Sequence, residues 1–481
     1  MSLHAQTSPE AQAALAAQKR NSLISSVIIA LLMLVLLGVI LFFIALASNF
    51  KNTDEVISYE SASDSEEDVT KPEMTNEVES KPSSPSSSMA KVIASKSPSP
   101  VAVPVPDITV TEPSLDFGDG NDFGDGWGNG GDGNGAGGGG GFGIPASMKK
   151  RCSKQDRISR LLKEGGQKEY EDKVVASLRN FKKTQQADGS WKTGGNSVAM
   201  TGLALLAYLG HCETPLSVEF GETVQKAIVY LVNNGMKQDG KLATSTANKH
   251  WCYEHAIATY ALAEAYTLCK EFRIEITNLP EAVQAAGSFI TANQHSSGAW
   301  EYAYDTSGQR GGDSSIVCWH LQALHALEYT KLDINGLKTA GRNAIKYLKD
   351  CEHGKGTVGY TPIRHTSTMT PGAALCLQQY KMGRRSLARN AVKWTSKNLP
   401  FDYKNDANLY MHYYAAQCMM NARGKAWKDY NDSAMVKLAA AQKADGSWPM
   451  PGGINHHMNP HYATCLATLM MEVYYRFLPS S

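Results

Sequence analysis

A loop of fixed spacing returns three times in the C-terminal two-thirds of the chain. Gln185, Gly189 and Trp191 stand at the same offsets as Gln294, Gly298 and Trp300, and as Gln442, Gly446 and Trp448. The first and third copies share their wording, Ala187-Asp188-Gly189-Ser190-Trp191 against Ala444-Asp445-Gly446-Ser447-Trp448. Glycine lets the turn after a helix take a positive φ, and tryptophan packs back onto the following hairpin. Each repeat unit buries its apolar face only against its neighbours, so such a chain is expected to build a stack or ring of like units.

The segments between these loops alternate in character. Val174, Leu178 and Phe181 form one apolar stripe with lysine and arginine elsewhere around the helix, whereas Val198 to Leu209 is apolar nearly all round. Amphipathic runs recur near Glu222 to Asn233, Glu281 to Asn293, Gly336 to Lys349, Arg385 to Lys397 and Ala426 to Gln442. Apolar runs follow near Tyr253 to Tyr266, Ser314 to Tyr329, Thr370 to Tyr380, Leu409 to Asn421 and Tyr462 to Tyr475. The pattern predicts an all-α fold of six hairpins, each with an outer amphipathic helix and an inner apolar one. Pairing alone leaves open a closed ring or an open solenoid.

Gln-x3-Gly-x-Trp between an outer and an inner helix resembles the repeat of squalene and hopene cyclases and of protein prenyltransferase β subunits. The resemblance covers Gln167 to Leu478 and implies an α6/α6 toroid, with six inner helices around a central cavity. The chemistry of those families is another matter. The cyclases resemble one another in an Asp-x-Asp-Asp motif, of which Arg310-Gly311-Gly312-Asp313 keeps only the final acid. A lone carboxylate lacks the neighbour that keeps one acid protonated. Asp313 is also well placed to cap a helix that begins with Ser314 and Ser315. The prenyltransferase zinc motif, Asp-x-Cys, does not occur. No cofactor is expected; zinc is the alternative that Cys252 with His255, Cys318 with His320, or His461 with Cys465 could hold, although only the first and last pairs share a helix face. The Gly-Cys-Gly-Glu-Gln signature of thioester toroids is absent as well.

Polar and aromatic groups gather where the inner helices should begin. Asp313, His255 and Glu254 are the candidates for acid or base chemistry. Tyr253, Trp319, His320, Tyr410, His412, His461 and Tyr462 are the candidates to line the cavity, with Tyr413 alongside. With both family motifs missing, the expectation is a domain that holds a hydrophobic or peptide ligand in its centre. The alternatives are an enzyme acting on an isoprenoid-like substrate through other residues, and a glycan-active toroid enzyme.

Upstream of this domain, residues 149–481, the composition changes. Leu23 to Ala47 is apolar and no charge occurs between Asn21 and Phe50, which is enough to cross a bilayer as a helix. Lys19 and Arg20 precede this span and acidic residues follow it, so residues 1–22 are expected in the cytoplasm and the C-terminal domain outside. Residues 48–148 pass from acidic through Ser- and Pro-rich to Gly-rich sequence and read as a disordered linker. Lysine plus arginine, 47, nearly equals aspartate plus glutamate, 46, which argues against a nucleic-acid partner. The nine cysteines form no zinc-ribbon or redox spacing; an exported domain could pair some of them.

Overall fold

The computed structural model describes residues 151–193, 195–354, 356–453 and 458–476. The Leu23 to Ala47 span and the linker at 48–148 lie outside these residues. Among the described residues no helix is long and apolar enough to cross a membrane. Their regular structure is helical, with pairing between extended residues limited to isolated bridges such as Glu352 with Val358.

Six inner helices alternate along the chain with six outer ones. The inner set is α3 (Ser197–Gly210), α5 (Trp251–Glu271), α7 (Ser314–Thr330), α9 (Thr370–Gln379), α11 (Leu409–Ala422) and α14 (Pro460–Met471). The outer set is α2 (Glu169–Thr184), α4 (Gly221–Lys237), α6 (Leu279–Ala292), α8 (Leu337–Asp350), α10 (Ser386–Asn398) and a composite of α12 (Gly424–Tyr430), a π turn (Asn431–Met435) and α13 (Val436–Ala440). Burial separates the layers as the apolar patterns require. Every residue of α3 is buried, while α8 buries only a stripe containing Ala340, Ala344, Ile345 and Leu348.

The ring is closed. Each inner helix packs against the next in the order α3, α5, α7, α9, α11, α14, and α14 returns to α3. This excludes the open solenoid. Side chains also meet across the axis, between inner helices that are not neighbours around the ring. Trp319 of α7 stacks on Tyr413 of α11 with centroids 5.1 Å apart, and the Tyr413 hydroxyl donates to Gln322 at 2.8 Å. Arg476, just beyond α14, reaches Tyr260 and Glu264 of α5 at 3.0 Å each.

An additional helix, α1 (Lys154–Lys163), precedes the first hairpin. Ser153 caps it by accepting from the Asp156 amide. It packs against the short 3-10 turn that ends the last inner helix, and Trp427 donates to the Glu164 carbonyl at its C-terminal end. Cys152 forms a disulfide with Cys212, tying the start of α1 to the end of α3.

The repeated loops are staples between consecutive outer helices. Each glutamine amide donates to its own loop glycine carbonyl and to an outer-helix carbonyl: Gln185 to Thr223 of α4, Gln294 to Ala340 of α8, and Gln442 to Lys173 of α2. The third of these spans the ring's closing seam. Each indole donates to the carbonyl ten residues earlier, Trp191 to Phe181, Trp300 to Ile290 and Trp448 to Leu438. The glycines have φ of 90°, 92° and 83°, and a Cβ would come within 2.1 to 2.4 Å of the neighbouring helix carbonyl at Lys226, Asn343 or Ala176. Backbone conformation and close approach therefore both require glycine there. Gly240 before Leu242 and Gly356 before Val358 make the same approach to α6 and α10, with an aliphatic residue in place of tryptophan.

Candidate functional site at the mouth of the ring

The two ends of the ring differ in how their polar groups are held. At the base, where the inner helices end, Glu264 lies between Arg151 and Arg476, and Glu171 between Arg157 and His211. All six are buried. Burial alone would raise the Glu171 carboxyl, yet the His211 and Arg157 contacts hold it down at about 2. Burial pushes the Glu472 carboxyl in the same cluster well above the usual range.

At the mouth, where the inner helices begin, several sequence candidates prove to be packed between the layers. His255 accepts from the Leu242 amide at 3.0 Å and donates to the Ala286 carbonyl at 3.2 Å. His320 stacks on Trp300 at 4.4 Å, donates to the Ile316 carbonyl and accepts from the Tyr304 hydroxyl at 2.7 Å. His412 donates to the Pro400 carbonyl and accepts from Tyr430. Burial lowers these imidazoles to about 3, 3 and 4, so they are neutral at physiological pH. The expectation that His320 and His412 line the cavity is thus corrected, and His255, a candidate for acid or base chemistry, is buried with both ring nitrogens engaged. Ala286 and Tyr430 belong to outer helices, Leu242, Tyr304 and Pro400 to the loops between layers, and Ile316 to the helix of His320 itself, because each apolar inner helix sends side chains away from the axis as well as toward it. Trp319 does point inward, but it is 1% exposed and fills the axis against Tyr413.

The other two candidates for acid or base chemistry, Glu254 and Asp313, and the cavity candidate His461 have separate partners. Glu254 accepts from the hydroxyl and amide of Thr244, whose hydroxyl in turn accepts from the Val198 amide at the start of α3. Burial raises its pKa. Asp313 caps α7, accepting from the Ser315 amide at 2.8 Å and from the Ser315 hydroxyl, and its other oxygen pairs with Arg310. Burial raises Asp313 too, against the lowering effect of these bonds. His461 lies flat against Trp191 and donates to the Met200 carbonyl at 3.3 Å, with the buried Cys465 sulfur 3.4 Å from the same nitrogen. Among the described residues no group of three or more His, Cys, Asp or Glu is placed to hold a metal ion.

Tyr253, Tyr410 and Tyr462 are half-buried at the inner-helix starts. The Tyr253 hydroxyl bonds Ser315 at 2.7 Å, and Tyr410 donates to the Ser315 carbonyl at 3.4 Å. Beside them is a group the sequence reading overlooked, Glu301, Tyr302, Arg310 and Tyr360. The backbone after Trp300 takes positive φ at two consecutive non-glycine residues, Ala303 at 53° and Tyr304 at 56°. Such conformations cost of order 1–3 kcal/mol each. The turn sends Tyr304 inward to His320 and leaves Tyr302 half-exposed, 4.9 Å from the His250 ring and 6.2 Å from Tyr253. The Arg310 guanidinium lies 4.7 Å from the centre of the Tyr302 ring and pairs with both Glu301 and Asp313. Tyr360 comes from the loop before α9, which is fastened by the Ser314 amide and hydroxyl donating to the Tyr360 and Gly359 carbonyls. A signal for this group existed: the second copy of the repeat departs from Asp-Gly-Ser-Trp and is followed at once by Glu-Tyr-Ala-Tyr.

No protein-family model matches the chain, and no curated protein resembles it in sequence. Among solved structures it is similar to the GH76A alpha-1,6-mannanase of Salegentibacter sp. HEL1_6, at 9% identity and a TM-score of 0.45, over 63% of this chain and 98% of that one. It is also similar to a variant of the type II terpene cyclase MstE of Scytonema, at 11% identity and a TM-score of 0.42, over 67% of this chain and 98% of that one. Likenesses this distant bear on neither chemistry nor substrate.

Proposed function

We propose that the chain is a membrane-anchored recognition protein whose ring, outside the cytoplasm, binds a hydrophobic or peptide ligand at its tyrosine mouth. The observation that carries the reading is the strained turn at Ala303 and Tyr304, which holds Tyr302 half-exposed beside Tyr253. Strain of this kind persists where the surrounding structure imposes it and clusters at functional sites. Acid–base chemistry has less support, because the buried histidines are neutral and engaged on both ring nitrogens. The Cys152–Cys212 disulfide favours an oxidising compartment, in keeping with export.

Export is tested by a reporter fused after Ser481, which should be active only outside the cytoplasm; activity inside overturns the orientation. The ligand reading is tested on the full chain purified in detergent, by mass spectrometry of co-purifying molecules. Tyr302→Ala should lose what the wild type retains. Equal retention by both proteins removes the mouth as the site. Glu301 and Asp313 are also two carboxyl groups beside aromatic rings, the minimum for glycoside hydrolysis. Release of reducing sugar from a glycan panel, lost in Glu301→Gln, would replace binding with that reaction.

A further inference from the structure

Four arginines in this domain neutralise buried carboxylates, Arg151, Arg157, Arg476 and Arg310, and the last is unlike the others. The side chains of Arg151, Arg157 and Arg476 at the base are 0%, 8% and 7% exposed, sealed in with their partners. Arg310 is 35% exposed, although its partners Glu301 and Asp313 are almost wholly buried. It also stands outside any helix, on a stretch with Gly308 before it and Gly311 and Gly312 after it, at φ of 69° and 111°. Withdrawing Arg310 into solvent needs only its partly exposed side chain to rotate away from the carboxylates, with the loop backbone in place.

The acceptors around its guanidinium are oriented by other groups. Glu301 takes the Gly312 amide at 3.0 Å and the Tyr302 amide at 2.9 Å, and Asp313 takes the Ser315 amide and hydroxyl. These bonds remain when Arg310 leaves, so the carboxylates would keep their places. The Tyr302 ring supplies a π face that already attracts cations, with Lys249 Nζ 5.6 Å from its centre as well as Arg310. Two buried carboxylates without a countercharge are strongly unfavourable, so any ligand that displaces Arg310 must bring a cation with it.

We propose that the mouth recognises a basic side chain of a peptide ligand in the site formed by Glu301, Asp313 and Tyr302, and that Arg310 is its intramolecular placeholder. The proposal rests on the mouth being the ligand site and names the chemistry that the site selects. A guanidinium fits best, because a planar fork can meet both carboxylates while lying on the ring.

The test uses the full chain in detergent micelles. Arg310→Ala should bind a short arginine-containing peptide about tenfold more tightly than wild type does, with no comparable gain for the same peptide carrying citrulline, by calorimetry. The variant should also recover thermal stability saturably with low concentrations of methylguanidinium, beyond any effect of sodium chloride at equal ionic strength. If the peptide binds much more tightly than methylguanidinium, the source is a peptide; equal binding means a site for small cations and overturns the peptide part. If Arg310→Ala does not fold, Arg310→Lys and wild type carry the test, and either must prefer the arginine peptide to the citrulline one. No such preference in any folded form overturns the proposal. Loss of a co-purifying ligand in Tyr302→Ala would still stand, so the two failures are distinguishable.

Discussion

The base and the mouth of the ring carry similar groups, arginines paired with carboxylates among tyrosines, and use them differently. At the base Arg151, Arg476 and Glu264 are sealed, and Arg151 joins residues far apart in sequence by donating to the Arg476 carbonyl at 2.8 Å. The chain enters the described domain there, and the cluster with the Cys152–Cys212 disulfide fastens its first helix to the ends of α3, α5 and α14. At the mouth the same chemistry is open to solvent and set on a strained turn. The contrast teaches that buried charge at one end serves closure of the ring, and that exposed charge at the other is available to something outside it.

Glu264→Ala should give the largest effect, a loss of roughly 3–5 kcal/mol, because it leaves two buried guanidiniums without a partner. Urea denaturation of the variant measures this, and a loss below about 1 kcal/mol would erase the distinction between the ends. Trp300→Ala and Trp448→Ala should each cost a similar or slightly smaller amount, about 3–5 kcal/mol for a deleted buried aromatic. The two tryptophans sharpen the comparison, since Trp300 supports the turn that leads to Tyr302 and Trp448 does not. Only the first should also change ligand retention, whereas melting like wild type would remove the packing role of the repeat. Tyr302→Ala should be smallest in stability, under about 1 kcal/mol for a half-exposed ring on a strained loop, while changing retention most. A large fall in its melting temperature would make Tyr302 a structural residue and the mouth a second base.

Much of the architecture was legible in the chain. The six inner and six outer helices fall near their expected positions because all-round apolar runs and one-sided stripes bury differently in water. The first helix, Lys154–Lys163, was missed; its mean apolar character is low and only Arg157 and Leu161 are buried. Of the site, Tyr253, Tyr410 and Tyr462 were named from their place at helix starts. Glu301, Tyr302 and Arg310 were not, since loop residues carry no periodicity to mark which way they face. The repeat glutamines were legible as a motif but not as staples, because their second acceptors lie 38 to 269 residues away.

By itself the sequence determined the helices, their alternation and the glycine turns between them, all consequences of local patterning and backbone sterics. Only the tertiary structure decided that the ring closes, that His255, His320 and His412 are buried with both ring nitrogens engaged, and that Arg310, of the four arginines on buried carboxylates, is the one that meets solvent. Those outcomes depend on which side of each helix meets which neighbour. A closed ring settles them only when α14 packs on α3 and the first and last hairpins become adjacent.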